Sequence, residues 1–264
     1  MIKQNLHCHT SFDDGKNSPE EMVEAAVRAR LSSLGISAHA PVDGDECYMK
    51  KCDEPAFNTE MRRLKDKWRG KIELYTGLEY DLAAERRFDG YDYVIGSVHW
   101  LDGAPVDLDR KTLSAAADRL GGADAAAERY FGCCARLADI PEVDIVGHFD
   151  LLTKFDEQGG ALFDENGSRY RDAAYAAMER LNAAGKIFEM NTGAISRGYR
   201  TSPYPSAALL RQLHDIGGRI VVSSDAHSAE AICCGFDMCA ELARACGFGE
   251  IWRFDGAGFR PEAL

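Results

Sequence analysis

Short apolar runs that end on histidine or on a carboxylate recur along this chain of 264 residues. Six of the seven histidines stand at such ends, together with one glutamate and one aspartate; the set is His7, His9, His39, Glu79, His99, His148, Asp225 and His227. His214 lies outside the pattern. Imidazole and carboxylate groups are ligands of borderline and hard metal ions, and this many converging groups suffice for more than one ion. The pattern predicts a metal cluster wherever the ends of these runs meet.

The apolar runs alternate with amphipathic segments, which is typical of a βα repeat. Strands are predicted at 2–9, 34–39, 72–79, 91–99, 143–148, 186–191 and 219–225, and helices near 22–31, 58–68, 122–138, 168–184, 206–216 and 229–245. Ahead of the first helix, Ser18, Pro19 and Glu21 form the pattern of an N-cap, a proline at the first helical position and a capping-box glutamate.

These elements are counted as seven βα units, with only a short charged segment between the third and fourth strands, and they favour one α/β barrel. Strands that alternate with helices imply a parallel sheet with right-handed crossovers, and no low-complexity linker divides residues 1–264, so we expect a single domain. In a βα barrel the carboxyl ends of the strands surround one mouth. Every candidate ligand is expected at that mouth, whereas a doubly wound open sheet would spread the ligands along a line.

The charge balance restricts the partners of the protein. Its 43 acidic and 31 basic residues give a formal net charge of −12, which repels nucleic-acid backbones and anionic membranes. No apolar run approaches the roughly 20 residues that a membrane-spanning helix needs. We expect a soluble protein that binds neither nucleic acid nor membranes, and an anionic substrate remains compatible if bound cations invert the local field.

The nine cysteines do not form the framework of a small secreted domain, and no signal-peptide pattern stands at the N-terminus. Cys47 and Cys52 have C-x4-C spacing without a second pair to complete a thiolate site. The adjacent pairs Cys133–Cys134 and Cys233–Cys234 fall in helical patterns. We expect reduced, structural thiols and a cytoplasmic location.

Two pairs of candidate ligands have a spacing of two residues. His7 and His9, like Asp225 and His227, point to one face because side chains alternate along a strand, and Cys8 points away into the packing. A single pair of this kind is also compatible with core or surface histidines. That explanation would have to apply independently at every strand end, which makes a shared metal cluster the simpler interpretation. Glu79 follows an apolar strand, where a buried carboxylate needs a cation or a hydrogen-bond partner.

In its opening motif, NLHCHTSFDDG at 5–15, the chain resembles the polymerase and histidinol phosphatase (PHP) superfamily. The matches extend along nearly the whole chain, with GISAHAP at 35–41, GLE at 77–79, GSVH at 96–99, VGHFD at 146–150 and SSDAH at 223–227. The segment NTG at 191–193, followed by Arg197 and by YPS at 204–206, is most similar to the histidinol-phosphatase branch.

The resemblance implies a distorted seven-stranded (β/α)7 barrel with a centre of two to three divalent metal ions, which Zn, Fe or Mn would suit. By similarity, one ion is held by His7, His9, Glu79 and Asp225, a second by Glu79, His99 and His148, and a third by Asp14, His39 and His227. Many relatives have histidine in the place of Asp14, and the adjacent Asp13 is an alternative ligand.

The function that this resemblance implies is that of a metal-dependent phosphomonoesterase, with L-histidinol phosphate as the expected substrate in histidine biosynthesis. We hypothesise attack by a metal-bridging hydroxide, with Glu79 and Asp225 as catalytic residues and without a covalent intermediate. Arg197 is a candidate phosphate clamp because guanidinium groups bind phosphate in a bidentate manner; Asn191 and Lys154 are further candidate substrate-binding residues. The alternatives are a PHP phosphoesterase acting on a nucleotide, a sugar phosphate or phosphotyrosine, and a metal-binding protein without turnover.

Overall fold

Parallel strands form the centre of the molecule, which a computed structural model describes for residues 2–42, 48–50 and 53–264. The strands are β1 (Gln4–Asn5), β2 (Ser33–His39), β3 (Glu73–Asp81), β4 (Tyr93–Ser97), β5 (Trp100–Leu101), β6 (Ala104–Pro105), β7 (Ile145–Val146), β8 (Ile187–Asn191), β9 (Ile220–Ser223), β10 (Glu250–Phe254) and β11 (Phe259–Ala263). Seven of them pair in parallel in the order β1-β2-β3-β4-β7-β8-β9.

The two edges of this sheet meet, so that the seven strands form a nearly closed barrel. Cys8, just beyond β1, forms a parallel bridge with Ala226, just beyond β9. The amide of His9 donates to the carbonyl of Ala226 at 2.9 Å, and the amide of Ala226 donates to the carbonyl of His7 at 3.3 Å. The predicted α/β barrel is therefore confirmed, and its closing bridge lies between the two pairs of candidate ligands.

Helices connect most of the strands. They are α1 (Pro19–Arg28), α2 (Glu54–Lys67), α3 (Arg110–Arg119), α4 (Ala123–Arg136), α5 (Ser168–Ala183), α6 (Gly193–Ser196), α7 (Ala207–Asp215) and α8 (Phe236–Ala245). Ser18 caps α1 and Glu21 completes the capping box, as predicted. Residues 82–92 join β3 to β4 without a helix, in agreement with the short charged segment predicted there, so the count of seven full βα units was one too high.

Other elements also differ from the prediction. The helix expected over 229–245 is a short 3-10 turn followed by α8, because Gly235 adopts a left-handed conformation (φ 72°) that interrupts a helix. Helix α3 and two antiparallel hairpins, β5–β6 and β10–β11, were not predicted.

The floor of the barrel is filled by side chains from six of the seven barrel strands or the residue next to them, together with one from β10. These residues are Leu6, Tyr75, Tyr93, Ile95, Ile145, Ile187, Val221 and Phe254. Tyr93 fits because its neighbours Gly35 and Gly77 lack a side chain: an added Cβ would lie 2.0 Å and 2.4 Å from the Tyr93 hydroxyl oxygen. The C-terminal hairpin closes this end, since Gln4 exchanges two 2.8 Å hydrogen bonds with the backbone of Phe254.

No helix within the described ranges combines the length and apolar character needed to cross a membrane. All seven cysteines within those ranges are free thiols. Cys47 and Cys52, whose spacing was noted above, lie outside the described residues.

Candidate metal centre

Glu79, near the end of β3, lies at the centre of five histidine rings. The side chain is 1% exposed. One carboxylate oxygen, Oε2, faces three rings: it is 3.2 Å from His7 Nε2, 3.4 Å from His9 Nε2 and 3.0 Å from His39 Nδ1. Because these rings come from the ends of β1 and β2, neighbouring strands supply one set of ligands around one oxygen.

The other oxygen of Glu79 faces a second set. Its Oε1 lies 2.9 Å from His148 Nε2 and 3.4 Å from His99 Nε2, and it accepts a 2.7 Å hydrogen bond from the hydroxyl of Ser97. His99 follows β4 and His148 follows β7. Glu79 thus lies between two groups of imidazoles, which is the arrangement that a bridging carboxylate requires.

Asp225 and His227, beyond the end of β9, complete the cluster from the closing edge of the barrel. The Oδ1 atom of Asp225 is 3.3 Å from His9 Nε2 and 3.7 Å from His7 Nε2. Asp225 has a positive φ of 47°, a conformation that costs energy for a residue with a side chain and that clusters at functional sites. The turn after β9 therefore holds the Asp225 carboxylate beside His7 and His9, which follow β1, at a conformational cost.

Asp14 forms the outer part of the cluster. Its carboxylate lies 3.2 Å from His227 Nε2 and 3.8 Å from His39 Nε2. Asp13, the alternative ligand, faces away from this group, because its carboxylate contacts His9 Nδ1 at 2.7 Å and accepts hydrogen bonds from the amides of Thr10 and His39. The geometry therefore favours Asp14 over Asp13 as the ligand.

Three buried carboxylates orient the histidines from behind, and the sequence reasoning missed this role for all of them. Glu189 lies 2.7 Å from His7 Nδ1, Asp13 lies 2.7 Å from His9 Nδ1, and Asp81 lies 3.1 Å from His99 Nδ1. A carboxylate on Nδ1 fixes the proton on that nitrogen and directs the lone pair of Nε2 inward, as in carboxylate–histidine–metal arrangements. Asp81 and Glu189 each stand two residues from another predicted site residue on the same strand, which is the signal that could have identified them.

The electrostatics of the cluster favour ionised groups. Burial would lower the pKa of His7, but the carboxylates of Glu189, Glu79 and Asp225 outweigh it and hold that pKa well above its ordinary value. Burial likewise opposes the charged form of His9, yet the carboxylates of Asp13, Asp225 and Asp14 raise the pKa of His9 to about 10. Conversely, burial would raise the pKa of Glu79, and the surrounding histidines hold it well below its usual range. The carboxylates thus need positive charge, which either protons or metal ions supply.

Several inward-facing atoms fit metal ions as their partners. His7 Nε2, His9 Nε2, His39 Nδ1 and Glu79 Oε2 are buried and have no hydrogen-bond partner among the described residues. Groups of these atoms lie within 4.8 Å of one another: His7, His9 and Glu79 form one group, His39, Glu79 and His99 a second, and His9, Asp14, His39 and His227 a third. Unpaired buried polar atoms are costly, and a nitrogen and carboxylate set of this kind suits Zn, Mn or Fe.

A cavity of about 470 Å³ opens above the cluster and contains two of the three predicted substrate-binding residues, Arg197 and Lys154. Arg197 follows α6, and its guanidinium donates to Asp225 Oδ2 at 3.1 Å. Gly193 permits this contact, because an added Cβ would lie 2.4 Å from Asp225 and 2.8 Å from Arg197. The ammonium of Lys154 donates to the carbonyl of Asp107 at 2.8 Å.

Asn191, the third predicted substrate-binding residue, is not among the residues that line the cavity. It is fully buried; its amide donates to Glu189 at 2.8 Å and its oxygen accepts from the amide of Gly193 at 2.8 Å. Its position thus suits the support of Glu189 and of the turn that carries Arg197. His214 lies on α7 beside Phe248, away from the cluster.

Fold and site together define a class: a βα barrel with a buried histidine and carboxylate cluster for metal ions at the carboxyl ends of its strands. The family model described as the PHP domain matches residues 5–193, more than two thirds of the chain. The chain therefore belongs to the PHP domain family.

The relatives and the solved structure that the chain resembles share one name, that of histidinol phosphatases. The chain is 25% identical over 258 residues to the histidinol-phosphatase of Bacillus subtilis, covering 87% of this chain and 95% of the relative. It is 28% identical over 239 residues to a Deinococcus radiodurans protein named "Probable histidinol-phosphatase", covering 84% and 85%. Its fold is that of the histidinol phosphate phosphatase of Lactococcus lactis, solved with zinc, L-histidinol and phosphate (TM-score 0.74, 20% identity, 98% of each chain).

Glu189→Gln tests the orienting role of the buried carboxylates. Because the amide would no longer hold the proton on His7 Nδ1 as strongly, affinity for Zn²⁺ or Mn²⁺ should fall by about 10- to 100-fold, measured by competition with a chelator. Glu179→Gln, on the exposed side of α5, makes the same chemical change away from the cluster and should leave affinity unchanged. An affinity of Glu189→Gln within twofold of wild type would contradict this role.

Proposed function

We propose that this protein is a metal-dependent phosphomonoesterase that hydrolyses L-histidinol phosphate to L-histidinol and phosphate. The observation that carries the reaction class is the position of Glu79 between two sets of histidines at the mouth of a PHP barrel. The substrate is supported by the names of the relatives, because both are named histidinol-phosphatase and both match over most of this chain and most of their own length. The free thiols suit the cytoplasmic location that goes with this proposal.

Two to three divalent ions would be held by the nine clustered side chains. In this assignment His7, His9, Glu79 and Asp225 hold one ion, Glu79, His99 and His148 a second, and Asp14, His39 and His227 a third. When bound, such ions lower the pKa of a coordinated water to about 7 and neutralise charge on the phosphoryl group. This would give an acidic protein an electropositive site for an anionic substrate.

The chain's own residues would then orient the reactants. Asp225 stays ionised, because Arg197 and the neighbouring histidines outweigh the effect of burial and hold its pKa well below the usual range. We assign to Glu79 and Asp225 the fixed negative charge that places the metals and orients the attacking water. Arg197, which is 29% exposed at the cavity wall, would bind the phosphoryl oxygens and stabilise their charge in the transition state.

Phosphate release by the holoenzyme tests the proposed function. Protein stripped with a chelator should be inactive, and reconstitution with Zn²⁺, Mn²⁺ or Fe²⁺ should restore turnover. In a panel with a nucleotide, a sugar phosphate and phosphotyrosine, L-histidinol phosphate should have the highest kcat/KM by orders of magnitude. Preference for another ester would overturn the substrate, and full activity of metal-free protein would overturn the reaction class.

Arg197→Ala tests the phosphate clamp. Loss of a charged donor to the transition state should lower kcat/KM by roughly a hundredfold or more, and Arg197→Lys should recover only part of the loss because lysine lacks the bidentate fork. Metal content has to be measured alongside, since Arg197 also contacts Asp225. Arg211→Ala, at an exposed position of α7, is the control. Unchanged kcat/KM in Arg197→Ala with full metal content would refute the clamp.

A further inference from the structure

The cavity above the metal cluster is lined by two chemically different sets of residues. One set consists of the candidate ligands and Arg197, where a phosphoryl group would be bound. The second set is mostly aromatic and apolar, and its residues are Tyr48, Trp100, Pro105, Leu108, Leu151 and Tyr199. If the phosphoryl group binds at the metals, the leaving alcohol has to contact residues of this second set. These residues would therefore affect which phosphate esters fit.

Asp107 is the one acidic residue among the described cavity-lining residues that is not a candidate metal ligand. It follows the β5–β6 hairpin, and its side chain is 32% exposed, which leaves it accessible from the cavity. Burial would raise the pKa of Asp107, but Lys154, His99, His148 and Arg197 outweigh this effect and keep the group ionised. A negative charge thus lines the cavity within electrostatic range of His99 and His148.

Lys154 holds Asp107 in place. The ammonium of Lys154 donates to the backbone carbonyl of Asp107 at 2.8 Å and to its Oδ2 at 3.3 Å. The same ammonium lies 5.0 Å from the ring centroid of Tyr199 and 5.6 Å from that of Phe155. Lys154 is 6% exposed and is already engaged by these partners, so its position suits the support of the Asp107 loop better than direct contact with phosphate.

The second carboxylate oxygen of Asp107 accepts no hydrogen bond from any described residue. Nearby, the hydroxyl of Tyr48 and the indole nitrogen of Trp100 face each other, and their rings supply an aromatic surface in the cavity lining. A ligand that brings a positively charged amine to the carboxylate and a flat ring to the aromatic side chains would satisfy this surface. An uncharged aliphatic alcohol would offer this oxygen no charged partner in place of the water that its 32% exposure admits.

We propose that Asp107 binds the ammonium group of the leaving alcohol and so selects phosphate esters of amino alcohols over their amine-free counterparts. The proposal rests on the proposed phosphomonoesterase function and adds a specificity-determining residue to it. Lys154 is a positioning residue in this assignment, since it acts through Asp107. The interaction contributes to binding of the ester and not to the chemistry at phosphorus, so its loss should affect KM more than kcat.

Asp107→Asn, assayed as the metal-loaded enzyme, tests this assignment with two esters. These are L-histidinol phosphate and its counterpart without the amine, 3-(imidazol-4-yl)propyl phosphate. The variant should raise KM for the amine-bearing ester by about ten- to a hundredfold and should change kcat/KM for the amine-free ester by less than about threefold. Asp109→Asn is the matched control, because Asp109 caps α3 through the amide of Thr112, does not line the cavity, and asparagine is an equally good cap.

An equal loss on both esters, or no loss on either, would overturn the role of Asp107 while leaving the proposed function intact. If wild type hydrolyses other phosphate esters but not L-histidinol phosphate, the proposed substrate fails, and the pair 2-aminoethyl phosphate and ethyl phosphate then decides the role of Asp107 by the same ratio. Calorimetric binding of L-histidinol and its amine-free counterpart gives a readout without turnover. A tenfold weaker binding confined to the amine-bearing compound supports the assignment, and equal binding by wild type and variant contradicts it.

Discussion

The fold and the site both depend on keeping one buried carboxylate, that of Glu79, between two sets of imidazoles. A carboxylate that is 1% exposed is costly without compensating positive charge. No single strand can provide that compensation, because side chains on one face of a strand recur only at every second residue. Two of the strands that supply rings, β2 and β4, pair directly with β3, and His39 is the partner of Glu79 in the register. The rings of His7, His9 and His148 come from beyond the ends of β1 and β7, which lie one strand further away, so the curved sheet has to bring them towards Glu79.

The carboxylates behind the histidines extend this arrangement. Glu189, Asp13 and Asp81 each bind the Nδ1 side of a ring, so that the Nε2 lone pairs of these three rings converge. They also add negative charge to a region that already holds Glu79 and Asp225. Without metal ions, protons on His7, His9 and His99 balance this charge, as the raised pKa values of these three side chains indicate. Binding of divalent cations would replace those protons, so metal affinity should depend on pH.

Sequence patterns predicted the parts of the structure that depend on periodicity. The apolar runs located all seven barrel strands, although β1, β4, β7 and β9 end two to four residues before the predicted ends. The spacing of His7 with His9 and of Asp225 with His227 predicted that each pair faces the cluster together. The partners of the histidine Nδ1 atoms could not be read in the same way, because they depend on register between strands that are far apart in sequence, as for His7 and Glu189. Asn191 was expected to face the substrate, but its side chain is fully buried and its amide donates to Glu189.

The loops were predicted least well. Asp107 and Lys154 meet across 47 residues of sequence, and neither lies at a strand end, so no periodic signal pairs them. In the proposed assignment these loops contact the leaving group, so two barrels with the same metal ligands can differ in substrate.

Anomalous diffraction from crystals grown with Zn²⁺ or Mn²⁺ tests the central claim most directly. The account predicts separate anomalous peaks on the two sides of the Glu79 carboxylate, within about 2.0–2.2 Å of its oxygens and of the surrounding histidine nitrogens. One peak would adjoin His7, His9 and Asp225, and another His99 and His148. Ordered water at these positions, with no anomalous signal at saturating metal concentration, would contradict this account.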